Sequence, residues 1–136
     1  MATLKISDLS VGDWVQDKNG IYAKVLGIEN WSDGYFLNIE LHGVNVVVTP
    51  LASVHPVPIT AEILEKIGFE STTKPNVFTL THGKLQLYVS KELDGWTMSF
   101  VNFMERLCIL QVIRKSYIHD LQHALRLAGV DKEINL

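Results

Sequence analysis

The stretch Asp8-Leu9-Ser10-Val11-Gly12-Asp13-Trp14-Val15 decides how this chain is read. Gly12-Asp13 carries turn chemistry between apolar Leu9, Val11 and Val15, so the phrase is a turn that launches a strand. Downstream, turn signals recur at Asn19-Gly20, Ser32-Asp33-Gly34 and His42-Gly43, with β-rich segments between them. Strands are predicted near 13–18, 21–29, 35–41 and 44–49. Asn19-Gly20 is predicted to form a type I′ hairpin turn, whose two central positions both need positive φ. Val44 to Val48 has almost no polar break and reads as a strand buried on both faces. Thr49-Pro50-Leu51-Ala52-Ser53-Val54 then reads as a one-turn 3₁₀ connection into a last short strand near His55–Pro58. A meander with a brief closing strand has the parts a small barrel needs to hide its edges.

The Leu9-x-Val11-Gly12-Asp13-x-Val15 phrase, the Tyr22-to-Ile28 strand and the Pro50-to-Pro58 closure resemble an SH3-like small β-barrel of adaptor and nucleic-acid-associated modules. The resemblance covers residues 1–58 and implies a scaffold, because such barrels host many unrelated functions. Pro56-x-Pro58 marks the next boundary, each proline biasing the residue before it away from helix. The second unit is expected over 59–136. Thr60 is the predicted N-cap of a helix at 61–67, with apolar Ile63, Leu64 and Ile67 on one side and Gly68 as its stop. Strands are predicted near 77–81, 85–90, 96–101 and 107–112, with His82-Gly83 and Asp94-Gly95 as turns. Tyr117, Ile118, Leu121, Ala124, Leu125 and Ala128 fall at helical spacing, giving an amphipathic helix near 116–128 with Ser116 as N-cap and Arg114-Lys115 at its start. The expected fold class is therefore α+β: a small barrel, a short helix, an antiparallel meander and a C-terminal amphipathic helix. Taken whole, Ile59-Thr60-x-Glu62-Ile63-Leu64-x-x-x-Gly68-Phe69 after the barrel and Tyr117-x-His119-x-Leu121-Gln122 at the end are similar to small uncharacterised proteins of prophages and mobile elements in gut anaerobic bacteria. That resemblance implies a setting and transfers no functional residue.

Composition narrows the chemistry. The 136 residues are 47% hydrophobic and 20% charged, as in folded domains. A net charge of −3 disfavours extended nucleic-acid binding, which draws on many Lys and Arg at phosphates. Cys108 is the single cysteine and lies in the apolar run Leu107-Cys108-Ile109-Leu110, so it reads as a small buried hydrophobe. No signal-like N-terminus and no membrane-length apolar run are present, and the expected location is cytoplasmic.

Motifs that carry reactions are sparse. There is no Gly-x-Ser-x-Gly elbow, no phosphate-binding glycine loop and no paired acids, so no catalytic residue and no cofactor is assigned. His119 and His123 stand at i and i+4, the spacing that holds zinc in His-Glu-x-x-His hydrolases. Asp120 stands where glutamate is needed, and the competing reading is a polar helix face with both imidazoles pointing outward. Trp31, Tyr35 and Tyr22 are the candidate ligand-binding aromatics of the barrel, with Trp31 on a loop tip. Their alternative role is packing, with Trp14 and Phe36 in the core. Trp96, Met98 and Phe100 alternate along one strand, and the C-terminal helix is their natural cover. The leading expectation is a non-enzymatic module that binds an unidentified protein partner; a nucleic-acid-associated barrel and a zinc hydrolase using His119 and His123 follow it.

Overall fold

The computed structural model describes residues 4–93, 95–102, 108–115, 117–130 and 133–136, with backbone alone at 102 and 108–115. The chain forms two compact units, one of Met1–Pro58 with Tyr117–His119, the other of Ile59–Ser116 with Asp120–Leu136.

In the first unit a 3₁₀ turn (Ile6–Asp8) precedes β1 (Trp14–Gln16), β2 (Tyr22–Trp31), β3 (Gly34–Leu41) and β4 (Asn45–Pro50). A second 3₁₀ turn (Leu51–Ser53) then leads to β5 (His55–Pro56). All pairings are antiparallel and the sheet order is β4-β3-β2-β1-β5. Backbone and side-chain hydrogen bonds together hold the Gly12-Asp13 turn. Gly12, at φ +96°, donates its N–H to the Val25 carbonyl at 2.7 Å. The Asp13 carbonyl accepts from the Val25 N–H at 2.9 Å, and its buried carboxylate accepts from the Ser10 N–H at 2.8 Å. The lead-in to β1 is thereby stitched to β2 before the ladder begins. Alternating inward residues, Val15 on β1, Ala23 and Val25 on β2, Leu37 and Ile39 on β3, build the core together with Leu4, Leu9 and Val54.

Register is offset once. Val25 faces Ile39 and Gly27 faces Asn38, leaving Leu26 as the extra residue of a β-bulge. A Cβ at Gly27 would lie 3.1 Å from Asn38 Nδ2, a tight approach that the Asn38 side chain would have to relieve.

The type I′ turn is not at Asn19-Gly20. Asp17 Oδ1 accepts from the N–H groups of Asn19 and Ile21 at 2.8 and 2.9 Å, holding a wider loop in which Gly20 alone has positive φ. Two consecutive positive φ values occur instead at His42 (55°) and Gly43 (74°), between β3 and β4.

The first unit also takes in a segment distant in sequence. Ile118 donates its N–H to the Val57 carbonyl at 2.8 Å, beside an antiparallel bridge between Pro58 and Tyr117.

In the second unit α1 (Ala61–Ile67) starts at Thr60, whose Oγ1 accepts from the Ile63 N–H at 3.2 Å. It ends at Gly68 in the left-handed region, φ 117°, and buries Ile63, Leu64 and Ile67. Phe69 folds back and is buried too. There follow β6 (Glu70–Ser71), β7 (Val77–His82), β8 (Leu85–Glu92), β9 (Gly95–Asn102), β10 (Cys108–Lys115) and α2 (Ile118–Leu127). The antiparallel sheet has the order β10-β9-β8-β7-β6. Trp96, Met98 and Phe100 are buried on one face of β9, and Leu121 and Ala124 of α2 meet Trp96 and Met98 around a small apolar void.

Arg114-Lys115 belongs to a strand and not to the start of a helix. β-branched Val112-Ile113 keep the backbone extended through Arg114 and Lys115, which pair with Thr97 and Trp96. Ser116, Asp94 and the Cys108 side chain lie outside the described residues.

Candidate functional site

β4 terminates the first sheet, so one row of its N–H and C=O groups faces away from the ladder. Val44 to Val48, expected to be buried on both faces, is exposed: Val44 78%, Val46 58%, Val47 41% and Val48 50%. The physical reason is position. A run of β-branched residues is buried on both faces only in a strand flanked and covered by others, and β4 is flanked on one side.

Pairing assigns each side chain to a face. Buried Leu37 and Ile39 define the inner face of β3, so Thr49 and Val47 opposite them are inward. Phe36, Asn38 and Glu40 oppose Pro50, Val48 and Val46 on the outer face. On β2, Glu29 opposes Phe36 and Trp31 opposes Gly34, which puts Trp31 on the outer face as well. Trp31 and Phe36 pack at a centroid distance of 4.9 Å with planes tilted 39°, leaving Trp31 52% exposed. Trp31, Phe36, Pro50, Val48 and Val46 therefore form a continuous apolar strip along the outer face and the free edge. Exposed apolar strips of this kind mark interaction surfaces more often than isolated exposed residues do.

The other two aromatic candidates lie elsewhere. Tyr35 opposes Asn30 on the inner face, at the same hairpin end as Trp31. Tyr22 opposes Gln16 at the start of β2, the far end of the strand from Trp31. Both tyrosines are partly exposed. Register, and no property of the residues themselves, separates the three. Trp14 and Phe36, expected in the core, are only half-buried.

A cleft open to solvent is lined by Val47, Val48, Thr49 and Pro50 of β4 together with Asp17 and Lys18. From Leu41 to Ala61 the chain contains no Asp, Glu, Lys or Arg, and this neutral stretch spans the whole edge strand. That absence of charge was the signal that β4 is not blunted in the usual way, since edge strands commonly carry Lys or other charges against unwanted pairing.

The histidine pair does not present a matched outward set. His119 is buried, at 2% exposure, and stacks on Tyr117 with ring planes 6° apart, whereas His123 is half-buried. Among the described residues no group of three His, Cys, Asp or Glu is arranged to hold a metal ion. No helix among them is long and apolar enough to cross a membrane.

Compared with family models, curated proteins and solved structures, this chain has no match. What the site can do is read from its own residues. A strand edge with free backbone groups and alternating apolar side chains can accept another extended segment, main-chain bonds giving affinity and side-chain alternation giving selectivity.

Proposed function

We propose that this chain is a non-enzymatic protein-interaction module that binds through the β4 edge and the adjoining outer-face strip from Val46 to Trp31. One observation carries the reading: a terminal strand whose valines are 41–58% exposed, free of charge and continuous with an exposed tryptophan. The first unit acts as an SH3-like scaffold in this proposal. The order β4-β3-β2-β1-β5, with a 3₁₀ turn just before the short β5, supports that assignment.

Burial of a half-exposed valine contributes about 1 kcal/mol and of a half-exposed tryptophan about 2 kcal/mol. Several such groups together offset an association cost of roughly 4–15 kcal/mol only when main-chain bonds are added. The site therefore fits an extended, apolar protein segment better than a small polar ligand. The test is affinity capture with the full chain, with Trp31→Ala and with Val48→Lys, each shown by circular dichroism to be folded. Both variants are expected to lose partners that the parent retains. An unchanged set of captured proteins in both overturns the proposal.

A further inference from the structure

The β4 sequence reads nearly the same in both directions about its centre. Around Val47 stand Val46 and Val48, then Asn45 and Thr49, then Val44 and Pro50. We propose that the β4 edge takes a second copy of this chain, by antiparallel β4–β4 pairing on a two-fold axis at Val47. This rests on the reading of β4 as a binding edge and names its occupant.

The geometry follows from the ladder. In an antiparallel pair, directly opposed residues share a face, so a two-fold axis perpendicular to the sheet must pass through a residue pair. Centred at Val47, it sets Val46 against Val48 of the second copy twice on the outer face. On the inner face it sets Val47 against itself, flanked by two Asn45–Thr49 pairs in which amide and hydroxyl can hydrogen-bond. Centring on Val46 or Val48 shortens the overlap and puts Val47 against Asn45 or Thr49. Pro50, which has no N–H to give, falls opposite Val44 at the end of the pairing, where it stops the ladder without costing a bond within it.

Charge is compatible with self-pairing. No ionised side chain lies on β4, and the nearest on the outer face, Glu40 of β3, stands opposite Lys24 of β2 within the same copy. The two Glu40 residues of a pair would be three strand spacings apart, about 15 Å, beyond a Debye length of about 8 Å at physiological salt. Asp17 and Lys18, which line the cleft beside β4, are of opposite sign and add no net charge there. A foreign peptide has no such register specified for it.

The six residues of β4, Asn45–Pro50, give an interface at the low end of the specific range, below about 1,200 Å² in total. The dimer is accordingly weak and reversible.

Sedimentation equilibrium of the purified full chain between about 5 and 500 μM reads this directly. The weight-average mass is expected to climb from the monomer value toward twice it, and Val48→Lys and Val46→Lys, both at exposed positions, are expected to stay monomeric. In a Cys108→Ser background, Val47→Cys is expected to oxidise in air to a covalent dimer, because directly opposed Cα atoms of an antiparallel pair lie about 4.5–5.5 Å apart, within the range a disulfide spans. Leu93→Cys, on a fully exposed site outside the first unit, is the control and is expected to remain uncoupled. A monomer throughout the range, a dimer that survives both lysine variants, or equal coupling of the two cysteine variants overturns self-pairing. If the parent is monomeric while Val48→Lys still abolishes partner capture, self-pairing falls and the binding-edge reading stands. A monomer whose capture is untouched by Val48→Lys overturns both.

Discussion

Replacing Asp13 with alanine tests whether the opening turn is held by its buried carboxylate. Asp13 is fully buried, and its carboxylate accepts from the Ser10 N–H at 2.8 Å. A hydrogen bond to a charged group is worth about 1.5–3 kcal/mol. Asp13→Ala is therefore expected to cost about 2–3 kcal/mol. Asp13→Asn keeps an acceptor oxygen for the Ser10 N–H, so it is expected to cost less than the alanine change, under about 1 kcal/mol. Urea unfolding followed by far-ultraviolet circular dichroism separates the two. With a slope of about 1–2 kcal/mol per molar urea, the alanine midpoint falls by about 1–2 M and the asparagine midpoint by less than half of that. An unchanged slope is required for this comparison. Alanine and asparagine variants that both stay within about 0.5 kcal/mol of the parent would refute the role given to the carboxylate.

Two further substitutions address caps and turns. His42→Gly is expected to raise stability by about 0.5–1 kcal/mol, since His42 holds φ 55° where glycine is unstrained, and a lowered urea midpoint would contradict this. Thr60→Ala removes the acceptor for the Ile63 N–H and is expected to lower stability by about 1 kcal/mol in the same assay, with Thr60→Ser restoring most of it.

Local chemistry was legible where neighbours in sequence decide it. Thr60 and Gly68 bound α1 at residues 61–67, as their capping roles dictate, and the alternation of Trp96, Met98 and Phe100 marked one face of β9. Structure that depends on position in the sheet was not legible. The valines of β4 have the composition of a covered central strand, and only the order β4-β3-β2-β1-β5 reveals that they lie at its margin. Asn19-Gly20 lost its turn type to a competing side chain, that of Asp17, which lies two residues before it and bonds two backbone N–H groups. The candidate aromatics Trp31, Tyr35 and Tyr22 are close in sequence, yet strand alternation and a length of ten residues in β2 send them to different faces and ends. Arg114-Lys115 looked like a helix start because cations are common on solvated helix faces, while the register with Thr97 and Trp96 continues the strand through them.

The return of Tyr117–His119 to the first unit has a consequence for how the chain is made. The Val57 carbonyl waits for the Ile118 N–H, and the whole of the second sheet is synthesised between them. Closing so long a loop adds little to its entropic cost, which grows only with the logarithm of length, but it delays the contact. During translation the Ile118 N–H therefore becomes available to Val57 only after all five strands of the second sheet have been synthesised, so the first unit cannot complete this contact while it emerges.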